Sequence, residues 1–137
     1  EGELRVADIR QVDTADLGTD HRRERPNLRS ALPGKSCGDI YDMALDFVKS
    51  KGYNTYFMGA DDGRVSFIAH GIGLELDEFP FIAAGQQMIL REGMVIAMEP
   101  KLVFPGQGVV GIENTHIVTD DGLEQITRFD EAIQIIR

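Results

Sequence analysis

The chain has no tryptophan and a single cysteine, Cys37, among 137 residues. One cysteine excludes an internal disulfide framework and any CxxC metal site. It also fits a reducing compartment, so a cytoplasmic protein is expected. Histidine is scarce too. His21, His70 and His116 are the only three, which excludes a His-rich metal tract and a helical HExxH motif. Positive charge is in short supply: 14 Lys and Arg stand against 23 Asp and Glu, for a formal net charge of −9. So acidic a chain is a poor general binder of nucleic acid or of an anionic membrane surface. Apolar runs last only a few residues, so no transmembrane helix is expected, and no charged-then-apolar leader opens the sequence. What is present, 42% apolar and 27% charged residues, is the composition of one ordinary globular domain. The first residue is Glu1 rather than Met, which suggests a processed form or a piece of something longer.

Residues 1–35 and 36–137 differ in character. The first stretch carries 14 charged residues and few apolar ones, too few to fold alone. Leu4, Val6 and Val12, with Ala7 and Ile9 between them, suggest a short strand over 4–12, and a solvated loop follows at 20–26. From Ser36 the signals sharpen. Ser36 and Asp39 form a capping pair, and Ile40, Met43, Ala44, Phe47 and Val48 recur on one helical face. Lys49 and Lys51 suit the C-terminal dipole and Gly52 the stop, which predicts a helix over 36–51 burying Ile40, Met43, Phe47 and Val48. Beyond it the pattern predicts about four or five antiparallel strands joined by turns. The stretches from which they are drawn are a run at 65–68 ending at His70, an extended 74–78, 94–98, 101–104, 109–119 and a short 125–127.

Few residues could carry chemistry. Cys37, at a helix N-terminus that would lower its pKa, allows a Cys–His nucleophile pair, but a small residue packing in the first turn is the better account. Gly71-Ile72-Gly73 lacks the third glycine of a dinucleotide fingerprint, since position 76 is Leu and no helix follows. These glycines instead remove bulk beside His70, so that backbone and ligand can approach. Glu99 and Glu113 both stand in apolar runs, where a charge is costly unless it is paired or holds a metal. Strand alternation puts Glu113 on a face with Val109, Thr115 and Ile117, and His116 on the opposite face with Ile112 and Val118. Spacing alone leaves open whether the two glutamates are metal ligands or salt-bridged residues at a strand edge.

Four segments change that balance. His70-Gly71-Ile72-Gly73-Leu74-Glu75 comes first, then Glu92-Gly93-Met94-Val95 leading to Met98-Glu99-Pro100. Gly111-Ile112-Glu113-Asn114-Thr115 and Val118-Thr119-Asp120-Asp121-Gly122 follow, with 29 residues from His70 to Glu99 and 14 from Glu99 to Glu113. In this order they resemble the C-terminal half of the pita-bread metallopeptidases, the family of prolidase (Xaa-Pro dipeptidase), aminopeptidase P and methionine aminopeptidase, with creatinase as a metal-free relative. The resemblance covers about 34–137 and is strongest to the Xaa-Pro branch. It implies an α+β fold, the C-terminal portion of a pita bread, with a curved antiparallel sheet, the helix on its convex face and ligands on its concave face. It implies that His70 and Glu99 bind one metal, that Glu113 bridges two, and that Glu99 also handles protons.

Two aspartates complete the family's site, and Mn, Co or Zn occupy it, two per intact site. Here Asp13 is the one Asp-x-Thr-like candidate, and Gly2 stands eleven positions before it, where the first aspartate belongs. A chain with only the His70, Glu99 and Glu113 set would hold one divalent ion or none. Asp77 stands where the family often has a substrate-contacting histidine, which makes it a candidate catalytic or substrate-contacting residue. The expected function is a metal-dependent peptidase acting on Xaa-Pro bonds of short peptides, represented by a fragment lacking the aspartate ligands. The alternative is a non-catalytic pita-bread interaction module. Half of such a fold leaves apolar surface uncovered, so the expected partners are a peptide substrate and either a second copy of the chain or a missing N-terminal half.

Overall fold

A computed structural model of the chain describes residues 34–128. The strand expected over 4–12 and the tail residues Ile133, Ile135 and Ile136 lie outside them. Helix α1 spans Cys37–Ser50, one residue inside each expected end. Ser36 is its N-cap: the Ser36 hydroxyl accepts from the Asp39 amide at 3.1 Å, and Asp39 Oδ2 accepts from the Ser36 amide at 3.1 Å and from its hydroxyl at 2.7 Å. This reciprocal box satisfies donors that the first helical turn leaves unpaired. Two more orphan donors reach across space, Cys37 N–H to Met88 O and Gly38 N–H to Gln86 O, both at 2.8 Å. Gly52, at φ +79°, ends the helix. The buried stripe is centred on Cys37, Ile40, Tyr41, Ala44 and Val48, while Met43 and Phe47 are only half-buried. The face turned to the sheet is therefore rotated from the expected one, because Tyr41 and the small Cys37 and Ala44 make the close contact.

Among the described residues seven strands follow rather than four or five: β1 Phe67–Gly71, β2 Glu78–Ala83, β3 Val95–Met98, β4 Lys101–Phe104, β5 Gly108–Gly111, β6 Asn114–Thr119 and β7 Gly122–Gln125. They form an antiparallel five-stranded sheet in the order β2-β1-β3-β6-β7 and a separate β4–β5 hairpin. The single stretch read over 109–119 is thus two strands in two sheets. The break falls at Ile112 and Glu113, across from a break at Glu99 and Pro100, where proline has no N–H to continue the ladder. The stretch 74–78 is not extended either. Residues 73–77 form a bend that Glu78 closes, its Oε2 accepting from the Glu75 amide at 3.2 Å.

Cross-strand partners share a sheet face, so the register sorts the residues. On one face lie Ala69, Met98 and Asn114, then Ile96 opposite His116, and Val118 opposite Leu123. The apolar members of this face, with Ile82, join Cys37, Ile40, Ala44 and Val48 of α1 in one buried cluster. On the other face lie Phe81, His70, Ala97 and Thr115 in one row. No helix among the described residues is long and apolar enough to cross a membrane.

Candidate functional site

The site grows from that second row. Val95, Ile96, Ala97 and Met98 pair with Ile117, His116, Thr115 and Asn114 in unbroken steps. Glu99 directly follows Met98 and Glu113 directly precedes Asn114, so both stand just beyond this paired end. The Glu99 amide donates to Ile68 O at 2.9 Å, which fixes the end of β3 against β1. His116 lies on the opposite face, fully buried, with its Nδ1 donating to Asn114 O at 3.2 Å. The separation of His116 from Glu113 expected from alternation is therefore present in the fold.

His70 is 4% exposed. Its Nδ1 lies 2.9 Å from Gly71 O, which can only accept, so Nδ1 carries a proton. Nε2 then faces two carboxylates, Asp77 Oδ1 at 3.2 Å and Glu99 Oε1 at 3.9 Å. The bend at 73–77 brings Asp77 over His70. Asp77 itself is more than half exposed. Glu99, about one-fifth exposed, divides its oxygens: Oε1 turns to His70, and Oε2 accepts from Lys101 Nζ at 2.8 Å. Glu99, Lys101 and Glu113 line one cleft of about 390 Å³, together with Val109, Gly111 and Ile112. Glu113 is exposed there rather than buried inside a strand, which follows from the break between β5 and β6.

The donor types suit a divalent metal: an imidazole in the ligating tautomer, with carboxylates on the same face. The donor number does not. Among the described residues, no group of three or more His, Cys, Asp or Glu is close enough to grip a metal ion. The described residues alone therefore do not make a metal site. Asp13 lies outside them.

Lys101 is the site residue that the sequence reading missed. Its signal was simple, a cation two residues beyond Glu99 and therefore on the same side of an extended chain. The role expected for the glycines changes as well. A Cβ at Gly71 would stand 2.5 Å from Phe79 O, and one at Gly73 would stand 2.5 Å from Glu78 Oε1. They admit β2 and the Glu78 side chain. Cys37 is fully buried, and burial pushes its thiol up, against the lowering expected from the helix N-terminus. It is a packing residue in the first turn, not a nucleophile.

Three comparisons bear on this arrangement. Metallopeptidase family M24 matches residues 26–120. The Xaa-Pro dipeptidase of Pyrococcus furiosus is 32% identical over 106 residues, 77% of this chain and 28% of that protein. The Xaa-Pro dipeptidase of Lactobacillus helveticus is 32% identical over 117 residues, 85% of this chain and 30% of that protein. The solved prolidase from Pyrococcus furiosus superposes with a TM-score of 0.71 at 26% identity, over 94% of this chain and 33% of that one. The chain thus spans less than a third of the length of the curated relatives it matches. The α+β arrangement of an antiparallel sheet with one helix is a partial pita-bread fold, as in those prolidases.

Proposed function

The chain belongs to metallopeptidase family M24, and from that membership we propose that it forms part of a metal-dependent peptidase that cleaves Xaa-Pro bonds in short peptides. The observation that supports this most is the approach of Glu99 Oε1 to His70 Nε2 at 3.9 Å, with Glu113 lining the same cleft as Glu99. On this reading those three residues hold a divalent ion, Mn, Co or Zn, and the remaining ligands come from outside the described residues, Asp13 among the candidates. A bound ion there supplies a Lewis acid and a water of lowered pKa. The chain's own contribution is positional. Gly71 O fixes the His70 tautomer. Lys101 holds one oxygen of Glu99, leaving the other turned to His70. On this reading Asp77, which stands over His70 at the open side, contacts the peptide.

The exposed Leu74, Leu76, Phe79 and Val109 support a covering partner, either a second copy or the missing N-terminal half of the fold. A monodisperse monomer on size-exclusion chromatography counts against this. The lone buried Cys37 supports a cytoplasmic setting.

A second reading, a non-catalytic interaction module, is favoured by the incomplete donor set. The test is proline release from Xaa-Pro dipeptides with Mn²⁺ and with EDTA, for the chain and for longer polypeptides containing it. Release that EDTA stops and Glu99→Gln removes supports the peptidase. Release that EDTA leaves untouched sinks the metal dependence, and the absence of release throughout selects the module.

A further inference from the structure

The described residues include six phenylalanines, which divide into two groups. Phe57 and Phe104 lie in the buried core, and Phe47 packs against it. Phe67, Phe79 and Phe81 belong to neither set. They gather instead around His70, which has Phe81 as its cross-strand partner on β2. Phe67 and Phe81 meet with ring centroids 5.2 Å apart, and so do Phe79 and Phe81. The Phe67 ring in turn meets the His70 imidazole edge to face at 5.9 Å. These are the edge-on contacts that aromatic rings favour, so the four rings hold one another in place. Phe67 and Phe81 are half-buried, and Phe79, on the edge strand of the sheet, is 64% exposed. The same imidazole has a different neighbour at Nε2, Asp77 Oδ1 at 3.2 Å, whose carboxylate is more than half exposed. An apolar wall and an accessible carboxylate thus flank one side chain, and ligand sites have this make-up, mostly apolar with a few placed polar groups. The pairing suits a ligand whose positive charge and apolar group leave the same carbon, as the α-ammonium and side chain of a peptide's first residue do. A second copy laid over the row would instead have to desolvate the Asp77 carboxylate.

We infer that this aromatic row, with Phe67 and Phe81 as its inner wall, takes the side chain of a peptide's N-terminal residue while Asp77 pairs with that residue's ammonium. The preferred Xaa is then phenylalanine, leucine or a similarly large apolar residue. The inference rests on the peptidase reading given above and adds to it the choice of Xaa. Alanine in place of Phe81 removes the wall, and asparagine in place of Asp77 keeps the shape without the charge.

The test is binding of Phe-Pro, Gly-Pro and N-acetyl-Phe-Pro to the full chain in EDTA, measured by ligand-observed NMR titration. The wild type binds Phe-Pro about tenfold or more tightly than Gly-Pro, the worth of burying much of one aromatic side chain. It binds Phe-Pro about fivefold more tightly than N-acetyl-Phe-Pro, the worth of one partly exposed charge pair. Phe81→Ala brings Phe-Pro down to the affinity of Gly-Pro, and Asp77→Asn closes the gap between Phe-Pro and its acetylated form. Equal binding of Phe-Pro and Gly-Pro by the wild type overturns the inference and leaves the peptidase reading standing. A preference for Phe-Pro that survives Phe81→Ala, or a gap that survives Asp77→Asn, places the recognition elsewhere and overturns it too. A dimer that Phe81→Ala dissociates on size-exclusion chromatography assigns the row to a second copy, with the same consequence. Binding of none of the dipeptides overturns the inference, while proline release with Mn²⁺ decides separately whether the peptidase reading falls. Should Phe81→Ala fail to fold, as judged by circular dichroism, the ratio on the wild type and the Asp77→Asn comparison decide.

Discussion

The two faces of the five-stranded sheet are built from the same strands and have opposite chemistry. One face carries Ala69, Ile96, Met98, Val118 and Leu123 and is sealed by α1. The other carries His70, Ala97 and Thr115, and Glu99 and Glu113 stand just beyond the ends of the paired strands. Each face buries a histidine, His116 fully and His70 to 4% exposure. Burial alone does not separate them; their neighbours do. His116 lies across from Ile96, whereas His70 has two carboxylates at Nε2. A strand of period two lets one residue type serve packing on one side and charge chemistry on the other, and a one-residue slip would exchange the two roles.

Substitutions that act on one face only test this division, and the largest effect belongs to the packed face. Ile96→Ala removes a fully buried side chain from the centre of β3. It should lower stability by roughly 2–5 kcal/mol in denaturant titration and leave Mn²⁺ uptake unchanged. Lost uptake at unchanged stability would mean that the two faces are not independent. The histidine pair sharpens the same point. His70→Ala should abolish Mn²⁺ uptake, a loss beyond the roughly 10–100-fold that even an outer-shell partner is worth. His116→Ala should leave uptake intact and cost about 2 kcal/mol of stability, since it opens a cavity and frees Asn114 O. If His116→Ala harms uptake as much as His70→Ala does, the face assignment is wrong. Gly71→Ala comes next. Its Cβ meets the backbone of Phe79, which cannot step aside cheaply, so about 1–3 kcal/mol is expected, together with a shifted His70.

How much of this was legible in the sequence depended on how local the cause was. The helix was legible almost to the residue because its signals lie within four positions of each other: Ser36 with Asp39, the apolar period, and Gly52. The placement of His116 opposite Glu113 was legible because alternation needs only neighbours. The break at Ile112 and Glu113 was not, because it follows from which partner each half finds, β4 for β5 and β3 for β6. That choice is made by residues distant in sequence. The same holds for Asp77, whose approach to His70 depends on a bend closed by Glu78. Lys101 was half legible. Its side of the chain followed from its offset of two from Glu99, but the room for its stem came from Gly111 on another strand.

The smallest effect tests the helix on the packed side and should be invisible at the site. Ser36→Ala removes the hydroxyl that accepts from the Asp39 amide and donates to its carboxylate. A lost N-cap costs about 1 kcal/mol. That cost should depend on pH in one direction. The Ser36 hydroxyl and amide hold the Asp39 carboxyl below its ordinary value in the folded chain. A group depressed by folding stabilises the chain above its unfolded pKa, about 3.9 for aspartate, and loses that contribution as pH falls through the lower folded value. The difference between wild type and Ser36→Ala should therefore be full at neutral pH and shrink below about pH 4. Chemical denaturation at several pH values measures it. A difference that stays constant down to strongly acidic pH would show that the hydroxyl acts only on the Asp39 amide. Mn²⁺ uptake should not change in Ser36→Ala, because the capping box belongs to the helix that seals the apolar face, away from the one carrying His70 and Glu99.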